Sequence, residues 1–460
     1  FLFPFMAPPS PEAPPPATPE SPPATTPRTA SHGRKRLPAH LPRLVEVHDV
    51  PAEKKVCAGC GGELASMGQE VSEELEYKPA SFHVVQHVRM KYACKQCQEN
   101  VVIAPGPDRP IDKGLPGPGL LSHVLVSKYA DHLPLYRQEG ILERNGIDLS
   151  RSTLCDWMAQ CAALLRPLYH RMIEAVLKSK VIHTDDTPMD VQDRQLDRTR
   201  TGRFWVYLGD KTHPYTVFAY TPSRSRDGPW QFLRGWSGFL QADAFGGYDG
   251  IYAGEAGGRV TEVACWAHAR RRFYEARSSD ATAGTHAVAH IRLLYDVEDE
   301  AQPLAASQRQ NLRQEKSLPR LERFRAWLES QQAARGGEVL PKSPMGQAIT
   351  YTLNQWEALC VYTTDGDLAV DNNAAENALR RVALGRKNWL FCGSDNGGNT
   401  AAVLFSLIAA CQRHGVDPFA YLRDVLIRFA ATPLDQIDAF LPDRWATQYR
   451  SPLETAAMPA

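Results

Sequence analysis

The chain has 460 residues, with 52 Lys and Arg against 52 Asp and Glu and a formal net charge of zero. That length exceeds one compact core and predicts about two to four domains. The charge balance excludes a uniformly basic nucleic-acid-binding protein, so any DNA contact must come from local basic patches. No apolar run is long enough to span a membrane, and the short apolar start lacks a basic leader and a small-residue cleavage site. No membrane partner and no secretory signal are therefore expected.

Residues 1–36 are dense in Pro, Ala, Ser and Thr. Such a stretch buries too little apolar surface to offset its ordering entropy and is expected to be disordered. It ends in the basic run His32-Gly-Arg-Lys-Arg36, which reads equally as a solvated tail or a phosphate-binding arm.

Residues 37–105 carry Cys57-Ala-Gly-Cys60 and Cys94-Lys-Gln-Cys97. Each Cys-x-x-Cys pair can fill two corners of a zinc tetrahedron from one tight knuckle, and Gly61 and Gly62 suit that turn. Cys57, Cys60, Cys94 and Cys97 are thus expected to hold a structural Zn²⁺. Four cysteine ligands leave no open catalytic position. The alternation in Phe82-His-Val-Val-Gln-His-Val88 predicts a strand between the pairs. The six other cysteines show no disulfide framework, and a reducing compartment is expected.

A Pro/Gly-rich linker at 104–119 leads to helices expected at 121–131, 135–145 and from 150–152 onward. Segment 120–178 resembles a helix-turn-helix in outline, but a plain packed hairpin reads the same way. Short apolar runs at 181–185, 203–209, 215–220, 238–243 and 260–265 predict five strands. A helical stretch follows from 266 to about 362, then a short helix around Glu376 and a strand at 388–391. The last helix is expected to open at Asp417-Pro418, an N-cap with proline at the first helical position. The fold class expected is α/β: a mixed-sheet core over 179–415 interrupted by an all-α insertion at about 266–362. A C-terminal helical segment at 416–450 closes it.

Asp185 ends one predicted strand, in Val181-Ile-His-Thr-Asp-Asp186, and Asp243 ends another, in Gly238-Phe-Leu-Gln-Ala-Asp243. A carboxylate at the end of a buried strand is costly unless it meets a metal or another cation. Two such strands side by side suit a pair of Mg²⁺ ions, and a third carboxylate from a helix would complete the cage. Taken singly, either aspartate also reads as a turn or cap residue. The helix candidate is Glu376. Its spacing from Asn373 equally fits a capping box, so local sequence leaves its role open. Asp185 and Asp186 alternate along a strand, so one of them is expected to face away from the metals.

Two segments mix cations with rings. Cys265-Trp-Ala-His-Ala-Arg-Arg-Arg-Phe-Tyr274 contains Arg270 and Arg271. Arg380-Arg-Val-Ala-Leu-Gly-Arg-Lys-Asn-Trp389 contains Arg380, Arg386 and Lys387. Guanidinium groups meet phosphates and indoles stack on bases, so these residues are candidate DNA contacts. A solvated helix face over core aromatics is the alternative.

Five strings resemble, in matching order, the insertion sequence 66 family of DDE transposases. They are His183-Thr-Asp-Asp-Thr-Pro188, Leu240-Gln-Ala-Asp-Ala-Phe-Gly-Gly-Tyr248, Cys265-Trp-Ala-His-Ala-Arg-Arg271, Asp371-Asn-Asn-Ala-Ala-Glu-Asn-Ala-Leu-Arg380 and Gly385-Arg-Lys-Asn-Trp-Leu-Phe-Cys-Gly-Ser-Asp395. Cys57 to Cys97 resembles that family's zinc finger. Lys128-Tyr-Ala-Asp-His-Leu-Pro-Leu-Tyr-Arg137 resembles its intervening helical segment. The resemblance implies a ribonuclease-H-like catalytic domain with Asp185, Asp243 and Glu376 as the three acids, binding Mg²⁺ or Mn²⁺. Cys265 and His268 match a Cys-x-x-His motif that the resemblance places after the second acid, as supporting residues.

The implied activity is cleavage at element ends followed by strand transfer into target DNA. The implied partners are other copies of the chain and helper proteins from the same element. An inactive DNA-binding derivative and a stand-alone nuclease are the rival readings. The family has glutamate where this chain has Asp186. It also begins with a zipper-like helix where this chain has its Pro-rich stretch, which is read as the mark of a fragment or a displaced start.

Overall fold

The computed structural model describes residues 82–93, 101–104, 108–111, 114, 116–193, 195, 197–332 and 339–449. The chain divides into two units, residues 1–90 and 91–460. In the first unit, residues 82–90 carry no regular element. The strand expected there is absent, and the alternating valines of this stretch are exposed. Alternation marks a strand only where one face finds a core. The zinc-ligand expectation at Cys57, Cys60, Cys94 and Cys97 lies outside the described residues, as does the disordered N-terminus.

The second unit opens with β1 (Lys91–Ala93) and β2 (Val101–Ile103), paired antiparallel. Three helices follow: α1 (Pro118–Tyr129), α2 (Leu135–Arg144) and α3 (Arg151–Val176). The Ser150 hydroxyl caps α3 by accepting the Thr153 N–H at 3.3 Å, satisfying one of the free first-turn donors. Buried leucines from all three join the main apolar core.

The sheet is built from β3 (Val181–Gln192), β4 (Thr199–Leu208), β5 (Thr216–Thr221), β6 (Gly238–Gln241) and β7 (Val260–Val263), with α4 (Asp227–Phe232) and α5 (Asp249–Tyr252) in the connections. Its order is β5-β4-β3-β6-β7. The β5-β4-β3 half is antiparallel, whereas β3, β6 and β7 run parallel. This is a mixed sheet in a mixed α/β fold. Strand β3 extends well past residue 185, where the sequence pattern ends it. Pro188 hides the continuation, and it is tolerated because β6 ends opposite His183 while β8 (Phe391–Cys392) begins only opposite Asp190.

From Cys265 the chain leaves the sheet. It forms α6 (Trp266–Ala276), α7 (Ala281–Ala301), α8 (Ala306–Leu312), a π-turn, α9 (Leu318–Gln331), α10 (Pro344–Asn354) and α11 (Trp356–Cys360). These helices surround a second apolar cluster centred on Trp266, Phe273, Phe324 and Trp356. The neck of this excursion is closed. The Trp266 N–H donates to Val370 O at 3.1 Å and its indole N–H to Leu359 O at 2.8 Å, while the Ala264 N–H donates to Ala358 O at 3.1 Å.

The chain returns as α12 (Asn373–Trp389), which packs on β3 and β4 where the edge of β3 is open. Asn388 and Trp389 belong to this helix and not to the strand expected at 388–391. Helix α13 (Asp395–Arg413) then crosses β5, nearly all of its middle buried. Its Ser406 hydroxyl accepts the N–H of Phe218 on edge strand β5 at 2.8 Å. Helices α14 (Pro418–Arg428) and α15 (Pro442–Tyr449) close the unit. Asp417 caps α14 as expected, although that helix is not the last. No described helix is long and apolar enough to cross a membrane.

Phe405 on α13 is buried and touches the rings of Tyr129, Phe204, Phe218 and Trp389 at centroid distances of 5.0, 6.3, 5.7 and 6.1 Å. It joins α1, the sheet and the end of α12. Phe405→Ala is expected to cost about 3–5 kcal/mol. Urea denaturation followed by tryptophan fluorescence checks this; a loss below about 1 kcal/mol would show that the junction is not part of the core.

Candidate active site

Parallel pairing sets His183 of β3 opposite Gln241 of β6. Two residues further on come Asp185, still within β3, and Asp243, just past the end of β6. Helix α12 brings Glu376 in its first turn to an open cleft of about 340 Å³, which Asp185, His268, Arg271 and Arg380 also line. The acids feel one another. Burial pushes the Asp185 carboxyl up to about 7. The charges of Asp243, Asp186 and Glu376 push the same way, against a hydrogen bond from the Asp186 N–H at 2.7 Å. Burial likewise raises Asp243, while Arg224 and His268 oppose the shift.

Asp186 borders the same cleft, but its charge is already matched. Its side chain, 2% exposed, accepts from Arg203 at 2.9 Å and from Arg224 at 3.0 and 2.8 Å. Arg224 lies 3.8 Å from Asp243 and 4.1 Å over the Phe245 ring. Neither arginine stands out in the sequence; both become visible only when β4 and the loop after β5 fold against β3.

Glu376 is held in place by side chains further back. The buried Asn372 donates from Nδ2 to Thr184 O at 2.8 Å, and its Oδ1 accepts from His183 Nδ1 at 3.1 Å. Burial keeps His183 neutral by lowering its pKa, which suits that single donated proton. The Asn372 N–H donates to Cys265 Sγ at 3.2 Å. One register back, buried Gln241 donates to Ala369 O at 2.7 Å and accepts from the Ala369 N–H at 3.3 Å. The capping box that competed for Glu376 does not form. The helix begins after Asn372, no side chain caps it, and Asn373 donates to Asp371 instead.

The other expected site residues fall into three groups. Cys265 is buried behind α12, while His268 and Arg271 each approach Glu376 at 3.7 Å. Arg380 and Lys387 are exposed on α12, and Arg270 is exposed on α6. Arg386 is engaged within the fold, donating to Thr187 Oγ1 at 3.2 Å and to the Pro188 carbonyl.

Residues 113–400 match the model of the Transposase IS66 family. The chain belongs to this family. Residues 54–98 match the zinc-finger binding domain of transposase IS66, and residues 406–442 match the IS66 C-terminal element. Three relatives from Sinorhizobium fredii agree along nearly the whole length. The uncharacterized protein y4hP is 34% identical over 435 residues, covering 90% of this chain and 77% of that protein. The uncharacterized protein y4jD is 34% identical over 89% of this chain and 81% of its own length. The uncharacterized protein y4qI is 35% identical over 90% of this chain and 77% of its own. The family match covers Asp185, Asp243 and Glu376 together, and the excursion between the last two lies inside it.

The pH behaviour of Asp185 has a definite sign. Its folded-state value lies above that of an exposed aspartate, so protonation favours the fold. That contribution is complete below pH 3.8 and is lost as pH rises through about 7. In chelator, Asp185→Asn is expected to raise the denaturation midpoint at about pH 8 and to leave it nearly unchanged at about pH 4. Equal effects at both pH values would rule out the shifted carboxyl.

Proposed function

We propose that this chain cuts DNA at the ends of its own mobile element and joins them to target DNA, with Asp185, Asp243 and Glu376 as ligands of Mg²⁺ or Mn²⁺. The observation that carries the reading is the crowding of carboxylates around Asp185, which feels the charges of Asp243, Asp186 and Glu376. Arg203 and Arg224 answer Asp186, while Asp185 is left with its pKa pushed to about 7 by burial and neighbouring carboxylates. An all-oxygen, like-charged donor set at the surface suits a hard divalent cation. The β5-β4-β3-β6-β7 order, antiparallel then parallel, supports a ribonuclease-H-like core.

When bound, a pair of such ions supplies an activated attacking oxygen and a stabilised leaving oxygen. The chain's own residues do the rest. Asp185 releases its proton as the site fills. His268 and Arg271 flank Glu376 and hold its carboxylate toward the cleft. Arg270, Arg380 and Lys387 bind phosphates along the strand, which fixes register without reading sequence. A water oxygen bonds to phosphorus and the P–O3′ bond breaks, leaving a 3′ hydroxyl and a 5′ phosphate. The 3′ oxygen then bonds to a phosphorus of target DNA and displaces that strand's 3′ oxygen, which takes up a proton. No bond to the enzyme forms. Cys57, Cys60, Cys94 and Cys97 hold a structural Zn²⁺, and copies of the chain bring two element ends together, with helper proteins from the same element.

Asp243→Asn is expected to reduce cleavage of duplexes carrying the element's ends by about 10³-fold or more, since several kcal/mol of charge stabilisation are lost. Strand transfer by this variant at the wild-type rate would refute the assignment. Cut ends without joined products in the wild type would make the chain a nuclease instead.

A further inference from the structure

Two buried polar atoms beside the cleft have no hydrogen-bond partner: His268 Nδ1 and Glu376 Oε1. Buried groups of this kind are rare and call for a cause, and an absent ion is one. Both residues stand next to Cys265. One ligand atom from each of Cys265, His268 and Glu376 can be chosen so that all three lie within 4.8 Å of one another. Bonds of about 2.0–2.3 Å to a single tetrahedral ion place ligand atoms roughly 3.3–3.7 Å apart, so the widest pair would close by about 1 Å through side-chain rotation.

Burial pushes the Cys265 thiol up to about 11, and the backbone around the sulfur works against that shift. Cys265 precedes the first turn of α6, where free N–H groups point outward. The Asn372 N–H donates to the sulfur at 3.2 Å, and the N–H groups of His268 and Ala267 also favour the thiolate. Arg271 and His268 face Glu376 at 3.7 Å, and Asp185, Asp186 and Arg380 face it across the cleft. Tyr295 and Asp371, hydrogen-bonded to each other at 2.8 Å, stand on the Cys265 side.

We propose that Cys265, His268 and Glu376 form a three-ligand site for a zinc-class transition-metal ion, distinct in chemistry from the carboxylate pair. Sulfur and imidazole select a borderline-soft ion over Mg²⁺. Three protein ligands leave a fourth position for water. Forming the S–metal bond breaks the S–H bond and sends its proton to solvent. Glu376 is shared, so an ion here draws that carboxylate away from Asp185 and Asp243. This last consequence rests on the proposed transposase mechanism; the binding site does not.

The test uses the full chain, saturated with Zn²⁺ and dialysed against a weak chelator so that the Cys-x-x-Cys pairs stay filled. Co²⁺ is then titrated in. The wild type is expected to bind one further equivalent with a sulfur-to-cobalt charge-transfer band. That band is expected to vanish in Cys265→Ser, and affinity to fall about tenfold or more in His268→Ala. Wild-type affinity is expected to rise about tenfold per pH unit below the thiol's own pKa, the mark of one released proton. An unchanged band in Cys265→Ser, or no Co²⁺ uptake by the zinc-loaded wild type, would overturn the site. Circular dichroism establishes that each variant is folded. If Cys265→Ser does not fold, Glu376→Gln serves, with loss of affinity expected and unchanged affinity overturning the proposal. Cleavage by Asp243→Asn tests the carboxylate mechanism separately, so either idea can fail while the other stands.

Discussion

The whole site depends on the buried amide of Asn372. It occupies the one place where the sheet, the helical excursion and the helix carrying Glu376 come together. Its side chain is fixed by Thr184 and His183 on β3, and its backbone by the sulfur that precedes α6. An unpaired buried amide would cost about 1–3 kcal/mol, so the three contacts act together. Gln241 performs the same task one strand away, gripping both backbone groups of Ala369. Glu376 is therefore placed by hydrogen bonds to strands β3 and β6, the strands that present Asp185 and Asp243.

Electrostatics then divides four neighbouring carboxylates into two kinds. Asp186 is enclosed by Arg203 and Arg224 and braces the sheet against the loop after β5. Asp185 and Asp243 are raised chiefly by burial, and Glu376 faces His268 and Arg271 at 3.7 Å. Arg224 lies near both groups, closer to Asp186 than to Asp243. Strand alternation predicts opposite faces for Asp185 and Asp186, yet both border the cleft, and it is the arginines on Asp186 that set the two apart.

The sequence was most legible where the physics is local. Apolar strand patterns located the β3 and β6 segments that precede Asp185 and Asp243, although Asp185 proves to lie inside β3 and not at its end, and the turn from strands to helices marked the excursion near residue 266. The Asp417 cap was also plain. Glu376 was not separable from a helix cap, because the contacts that place it come from residues more than a hundred positions away in the chain. The same holds for Asn372 and Gln241, which lie inside recognised strings yet show no spacing of their own. Strand β3 was read too short because Pro188 interrupts its pattern. Residues 388 and 389 were read as strand because their aromatic and apolar neighbours suit either state; packing of Trp389 against Tyr129 and Phe405 decides for helix.

The neck at Ala264, Trp266 and Asn372 is clamped by backbone hydrogen bonds, which makes the excursion separable from the core. The excursion between Asp243 and Glu376 has its own apolar centre and leaves and re-enters the core through adjacent backbone. Extending a segment whose ends are already clamped adds only about 0.6 kcal/mol of closure entropy per doubling of length. Material can thus be gained, lost or exchanged there while the catalytic register stays fixed. The clamped neck is a natural seam for grafting a foreign domain onto this fold.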